Sequence, residues 1–377
     1  MTKSGWELSV KDCSHSCLIL GLYLAVGVIF LAFNFTTFVA SKNQAVKRDD
    51  IEDIFSKFSE LNVLIIGDAM VDNYLWGKAD RISAEAPVPV VTVIRQEARL
   101  GGAGNVSLNL QALGANPILI TFVGDDDNGK IFTNLMKENR LSSDRVFADK
   151  SRMTTVKTRI YSGDRQVARV DQEVSALLDS DFEAHIFAEI VKVIDTERIS
   201  VVVFVDYDKG LITPWLIRKV VELAKSRNIL TVADPKIRNF DDYREIDLLK
   251  PNFKEFRDGL KLQIEMTDLK ELKAIAENFK NENNIGMLLI TLSELGVWVS
   301  NGEMQNYFPA EVRNIADVSG AGDTVVAMAS LCLATGLSAA LTAQLSNLAG
   351  GLVCEKLGVV SVDREQLKKE AEKILAD

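Results

Sequence analysis

Histidine is nearly missing from this 377-residue chain, where only His15 and His185 occur. Mechanisms that rest on an imidazole base therefore have little to work with. His185 sits in DFEAHIFAEI and reads as part of an ordinary helix. Cysteine is scarce too: Cys13, Cys17, Cys332 and Cys354 form no C-x-x-C pair. That excludes a disulfide framework and a zinc site, and Cys332 and Cys354, inside apolar runs, read as buried free thiols. Positive charge is in deficit, with 43 Lys and Arg against 53 Asp and Glu and a net charge of −10. An acidic surface repels phosphate backbones, so no nucleic-acid partner is expected, although a few converging basic side chains would still suit a small anionic substrate. No G-x-x-x-x-G-K-[ST] sequence is present, which excludes a P-loop enzyme. Internal repeats and low-complexity linkers are absent as well.

The first fifty residues differ from the rest. Between Cys13 and Ser41 there is no Asp, Glu, Lys or Arg, and residues 17–40 form a 24-residue apolar run. That length suffices for a helix across ~30 Å of hydrocarbon. Lys42, Lys47 and Arg48 behind it would keep the following domain on the cytoplasmic side. Three readings stay open: a single-pass membrane anchor, a signal peptide (the run is long and no clear A-x-A site follows), or upstream sequence from a wrong start site. RDDIEDIFSKFSELNVLIIGD already reads as the beginning of an α/β domain, so residues 1–50 are set aside as an extension and 51–377 as the domain.

In that domain, short β-branched runs alternate with helical patterns. Strands are expected at 62–68, 117–125, 200–207, 229–234, 247–252 and 287–299. Helices are expected near 104–114, 128–139, 180–195, 213–227, 253–261, 267–283, 321–335 and 338–356. The rhythm predicts a mostly parallel sheet with helices on both faces. Residues 87–102 and 154–173 instead alternate apolar and polar residues, with SGDR (162–165) as a hairpin turn. They predict a small strand-built lid beside one α/β domain, not a second independent domain.

In an open parallel sheet, ligands bind beyond the carboxyl ends of the strands, and the informative residues fall there. GDAMVDNY places Asp68 and Asp72; GGAGN (101–105) opens a helix with Asn105 in its first turn. VDYDKG supplies Asp206, Asp208 and Lys209, ADPK supplies Asp234 and Lys236, and KPNFKEF supplies Asn252 and Glu255. Any one such residue is as often a helix cap or turn former. Their recurrence at one edge argues for a shared site. In DVSGAGDTVV (317–326), Gly320, Ala321 and Gly322 carry almost no side chain. Backbone N–H groups there, with the helix behind them, can face an anion such as a phosphate. Asp323 then either caps that helix or accepts a proton from a hydroxyl attacking a γ-phosphate.

GGAGNVSLNLQALG through Gly124, and DVSGAGDTVVAM, resemble the two signatures of the ribokinase (PfkB-type) carbohydrate kinases. The second departs at Met328, where the general pattern prefers a small residue; the loop and Asp323 are intact. The resemblance covers about 60–377 and implies a ribokinase-like three-layer α/β/α fold with a β-strand lid. Within the family, GDAMVDNYLWG, RISAEAPVPVV, VDYDKG, DPK, KPNFKEF and CEKLGVVSV look like the heptose 7-phosphate kinases, the kinase half of a bifunctional kinase/adenylyltransferase. No H-x-G-H motif of a nucleotidyltransferase occurs, so adenylyl transfer is expected on a separate protein.

The resemblance implies roles residue by residue. Asp323 is the general base for the anomeric hydroxyl, and Gly320, Ala321 and Gly322 form the anion hole, with Ser319 beside the nucleotide. Asn252 and Glu255 match the family's N-x-x-E and help hold ATP with Mg²⁺, Glu255 through water on the metal. Asp68, Asp72, Gly101, Gly102 and Asn105 bind sugar hydroxyls. For the sugar's own phosphate the candidates are Lys157, Arg159, Arg165, Arg169, Lys209 and Lys236, with Lys209 the first choice. A homodimer through the lid strands is implied too. The expected reaction is ATP-dependent phosphorylation of D-glycero-D-manno-heptose 7-phosphate to the 1,7-bisphosphate, for ADP-heptose and lipopolysaccharide core synthesis. The rivals are a fructokinase, ribokinase or phosphofructokinase-like enzyme; a non-catalytic, membrane-tethered sugar- or nucleotide-binding protein, against which Asp323, Asn252 and Glu255 argue; and a nucleotidyltransferase, against which the missing H-x-G-H argues.

Overall fold

Runs of Val, Ile and Leu, bounded by Asp, Asn or Gly, set the strands, and the segments between them carry helix caps. The computed structural model describes residues 48–375; the apolar run 17–40, with its expected anchor, lies outside the described residues. The chain begins with α1 (Arg48–Phe58), β1 (Asn62–Gly67), β2 (Ala69–Ile82), β3 (Pro89–Gly102), α2 (Ala103–Ala112), β4 (Asn116–Gly124) and α3 (Asp127–Glu138). It continues through β5 (Val146–Asp149), β6 (Val156–Ser162), β7 (Arg165–Gln172), α4 (Ser180–Thr196), β8 (Val201–Val205), α5 (Pro214–Ser226) and β9 (Leu230–Asp234). Then come β10 (Leu248–Leu249), α6 (Phe253–Gly259), α7 (Leu269–Glu282), β11 (Met287–Thr291), β12 (Val297–Ser300) and β13 (Gln305–Phe308). Three helices close the fold: α8 (Ala321–Ala334), α9 (Ala339–Val353) and α10 (Arg364–Leu375).

Nine strands form the central sheet in the order β13-β12-β11-β10-β9-β8-β1-β4-β5. From β11 to β5 the pairs are parallel; β12 and β13 add an antiparallel edge. Successive side chains on a strand point to opposite faces. Val63 and Ile65 thus pack with α1–α3 and α8–α10, while Leu64 and Ile66 pack with α4–α7. The result is the three-layer α/β/α arrangement expected from the alternating pattern. Among the described residues no helix is long and apolar enough to cross a membrane.

The second sheet runs β3-β2-β6-β7. Segments 87–102 and 154–173 contain β3 and the β6–β7 hairpin, but the long central strand β2 was not expected. β1 runs through Asp68 directly into β2, and β3 runs directly into α2, so both ends of this ribbon open into the site. Its root is fastened to the main body: Tyr161, stacked on Trp76 within the ribbon at 4.4 Å, donates to Asp317 (3.1 Å), and the Val359 N–H donates to the Tyr74 hydroxyl (2.8 Å). One expected strand is corrected. Residues 287–299 are two antiparallel strands, because the backbone reverses at Ser293–Leu295 with positive φ at Ser293 and Gly296. The expected strand 247–252 shrinks to β10 and an isolated bridge between Asn252 and Thr291.

Candidate active site

Seven helices begin with an ordinary side-chain cap: Asp126, Asp179, Thr213, Asn252, Asp268, Ser338 and Asp363 each accept a backbone N–H at the start of α3, α4, α5, α6, α7, α9 and α10. Two do not. α2 and α8 start at Gly102 and Gly320 with no side-chain cap. The Ala103 N–H donates to the Asp68 carbonyl (3.0 Å) and the Ala321 N–H to the Val318 carbonyl (3.3 Å); the positive ends of the two helices carry no side-chain cap and can face an anion. Gly320 has φ 82°, and a Cβ there would lie 2.8 Å from Asn105 Nδ2, so only glycine admits this close approach. Asp317 shapes the loop in front. Its carboxylate accepts from the N–H groups of Ser319 (2.9 Å) and Gly358 (3.0 Å) and from Tyr161. Burial works to raise its pKa, but these donors outweigh burial and hold it below the ordinary range.

Asp323, in the first turn of α8, is 2% exposed. Asn105 Nδ2 donates to its Oδ2 and the Tyr207 hydroxyl to its Oδ1, both at 2.7 Å. Asn105 is itself anchored by Asn109, whose Oδ1 accepts from Thr324 and from the N–H of Val362. Burial pushes Asp323 up to about 6, against the pull of its two donors. A carboxylate with that value is charged at neutral pH yet basic enough to take a proton from a hydroxyl.

Around Asp323 stand paired charges. Asp234, at the end of β9, meets Lys250 at 2.9 Å, with both side chains almost wholly buried. A Cβ on Gly322 would lie 3.5 Å from that ammonium, so Lys250 sits beneath the Gly320–Gly322 loop. Lys236 pairs with Glu255, and its ammonium lies 5.0 Å from the centre of the Tyr207 ring. Lys157, from β6 of the lid, lies over the same ring at 5.0 Å. Lys157 has no ion-pair or hydrogen-bond partner among the described residues, and burial lowers its pKa. Asp68 is a scaffold group: its oxygens accept the N–H groups of Tyr207 (2.8 Å), Lys209 (3.0 Å) and Leu211 (3.2 Å), fixing the loop after β8.

The chain matches the pfkB family carbohydrate kinases over residues 60–366. It belongs to that family. Its curated relatives include the Bifunctional protein HldE of Pelobacter propionicus, 38% identical over 316 residues covering 84% of this chain and 64% of that protein. HldE of Geobacter metallireducens is 37% identical over 84% of this chain and 64% of its own length. The chain thus spans somewhat less than two thirds of these relatives. Among solved structures, phosphofructokinase-2 from Escherichia coli superposes with TM-score 0.68 at 16% identity, covering 84% of this chain and 99% of that one. Ribokinase of Arabidopsis thaliana gives 0.63 at 16% identity, covering 82% and 98%. These two likenesses speak for the ribokinase-like fold. As a pfkB-family carbohydrate kinase, the chain is a phosphotransferase with a hydroxyl acceptor.

In this pfkB-family site the expected residues divide. Asp323, Gly320, Ala321, Gly322, Ser319, Asn105, Gly101 and Gly102 meet at the starts of α2 and α8. Asn252 and Glu255 form a capping box on α6, joined to Tyr207 through Lys236. Asp72 is buried and paired with Arg159; a Cβ on Gly101 would fall 2.2 Å from its Oδ2, so the glycine makes its room. That pairing corrects the expectation for Arg159, whose guanidinium is spent on Asp72 rather than free for a phosphate. Arg169 pairs with Asp171 on an exposed strand, Arg165 lies exposed at the hairpin, and Lys209 pairs with Glu173 at 3.0 Å. Asp208 pairs with Arg238, and Asp206 accepts from Asn239 and Tyr243 behind the site. Sequence reasoning missed Tyr207 and Lys250. Both lay inside quoted motifs, VDYDKG and KPNFKEF, but neither residue type announces a contact with a distant carboxylate.

Proposed function

We propose that this chain transfers the γ-phosphoryl group of ATP to the anomeric hydroxyl of a phosphorylated heptose, D-glycero-β-D-manno-heptose 7-phosphate. The observation that carries the chemistry is Asp323: a buried carboxylate, held by two donors, at the mouth of an uncapped helix. Its oxygens would take the proton of the attacking hydroxyl while the N–H groups at Gly320–Gly322 face the charge on the phosphoryl oxygens. Beneath Gly322 lies the Asp234–Lys250 ion pair, whose ammonium is the nearer of the two groups to the loop. Preorganised donors of this kind need no rearrangement as charge develops.

Sugar identity rests on RISAEAPVPVV and on relatives named HldE. A second phosphate on the sugar calls for a cation, and Lys157 is the best placed, half-buried and without an ion partner beside Tyr207. It replaces Lys209 as first choice. Gly101, Gly102 and Asn105 would line the sugar, with Asp72 behind Gly101 and Asp68 holding the wall in shape.

Among the described residues no three His, Cys, Asp or Glu side chains cluster to ligate a metal directly. The donor set suits hydrated Mg²⁺ arriving with the triphosphate, with Glu255 reaching it through water in exchange for Lys236. Bound there, the metal would neutralise phosphate charge in the transition state. The test follows ADP release with heptose 7-phosphate, fructose 6-phosphate, fructose and ribose as acceptors. Turnover should be highest on heptose 7-phosphate; preference for another acceptor overturns the sugar, and no turnover on any, with ATP still bound, overturns the kinase reading.

A further inference from the structure

We propose that Tyr207 is a positioning residue whose hydroxyl fixes the orientation of the Asp323 carboxylate and whose ring joins it to lysines on two walls of the site. The proposal rests on Asp323 acting as the base.

Tyr207 is the second residue beyond the end of β8, and its own N–H is pinned by Asp68 Oδ2 at 2.8 Å. The phenol therefore starts from a fixed backbone. Its hydroxyl donates to Asp323 Oδ1, while Asn105 donates to Oδ2, both at 2.7 Å. Two donors from two different elements define the plane of the carboxylate, where one would leave it free to swing. They are not equivalent. Asn105 is fully buried, whereas Tyr207 is only partly buried. An acceptor hydroxyl would then approach along the edge that Tyr207 holds.

The ring is the second part of the device. The ammonium groups of Lys157, on the lid, and Lys236, after β9, each lie 5.0 Å from its centre. Cations over an aromatic face are attracted to it, and their field strengthens the phenol as a donor. The other charges around Asp323 are already paired: Asp72 from β2 with Arg159, and Asp234 from β9 with Lys250. Tyr207 is thus the group through which a lid cation acts on the base. Without its hydroxyl, Asp323 keeps one donor, swings more freely and ionises less readily in its buried site.

The experiment measures kcat and KM for the full chain, Tyr207→Phe and Asp323→Asn between about pH 5 and pH 9, with ATP and the best acceptor of the panel above. Phenylalanine keeps the ring and its cation contacts. Tyr207→Phe should lower kcat about tenfold, leave both KM values within about twofold, and move the acid limb of the kcat profile to higher pH. Wild-type kcat, a loss confined to KM, or a lower kcat with an unmoved acid limb would each overturn the proposal. Turnover surviving in Asp323→Asn would mean that the base assignment itself had failed. An inactive Asp323→Asn beside a wild-type Tyr207→Phe would sink the Tyr207 proposal alone.

Discussion

The two sheets use similar strands for opposite ends. β8, in the centre of the large sheet, is buried along its whole length, while β7 of the lid is exposed at nearly every position. The large sheet holds its charged groups in pairs or behind several donors, as with Asp234 and Lys250 or Asp68 and three backbone N–H groups. The lid supplies Lys157, a half-buried cation with no ion partner among the described residues. The difference teaches a division of labour. The rigid layer carries groups whose position must not change, and the thin ribbon carries a group that waits for its counter-charge. Burial without a partner is costly for an ion, so Lys157 is the place where a bound anion would gain most.

That contrast can be broken in stages. Phe204→Ala removes a fully buried ring from β8 and should cost about 3–5 kcal/mol in unfolding free energy, read by denaturant titration. Lys157→Met should raise KM for the phosphorylated sugar about 10–100-fold, the worth of a charged hydrogen bond, and leave an unphosphorylated acceptor unchanged. An equal effect on both acceptors would remove Lys157 from the phosphate. Acidity probes the buried carboxylates. Burial first, then the charge of Asp68, raises Asp206 from 3.8 to about 6. Between those values the folded chain binds a proton that the unfolded chain does not, so stability should rise as pH falls from about 6 towards about 4. The gain is at most on the order of 3 kcal/mol and should shrink in Asp206→Asn, seen as a smaller difference in melting temperature between pH 5 and pH 7. Carboxylates held low by ion pairs, such as Glu370 beside Arg313, act in the opposite sense and only at lower pH. Smallest of all, Val170→Ala on β7 should stay within about 0.5 kcal/mol of wild type.

Much of the rigid layer was legible because its strands are uninterrupted β-branched runs ended by Asp, and its glycines fall at helix starts. Asp323, Asn105 and Gly320 could be singled out on that ground. The lid was half legible. β2 escaped because its first half is buried on both faces, so Asp72 and Tyr74 sit inside and the polar alternation disappears. The apolar run at 287–299 hid a reversal that only the positive φ of Ser293 and Gly296 reveals. Least legible were the partners. Arg159 and Asp72 are 87 residues apart, and Tyr207 and Asp323 are 116 apart. Residue type alone does not say which basic group is spent on a carboxylate and which is left for a ligand; that depends on how the two sheets meet.

The most direct measurement compares Asp323→Asn with wild type on the best acceptor, with ATP affinity determined in parallel. Asparagine keeps the shape of the side chain and removes its basicity. The account predicts a fall in kcat of about 10²–10⁴ with the affinity for ATP unchanged. Turnover close to wild type would contradict it.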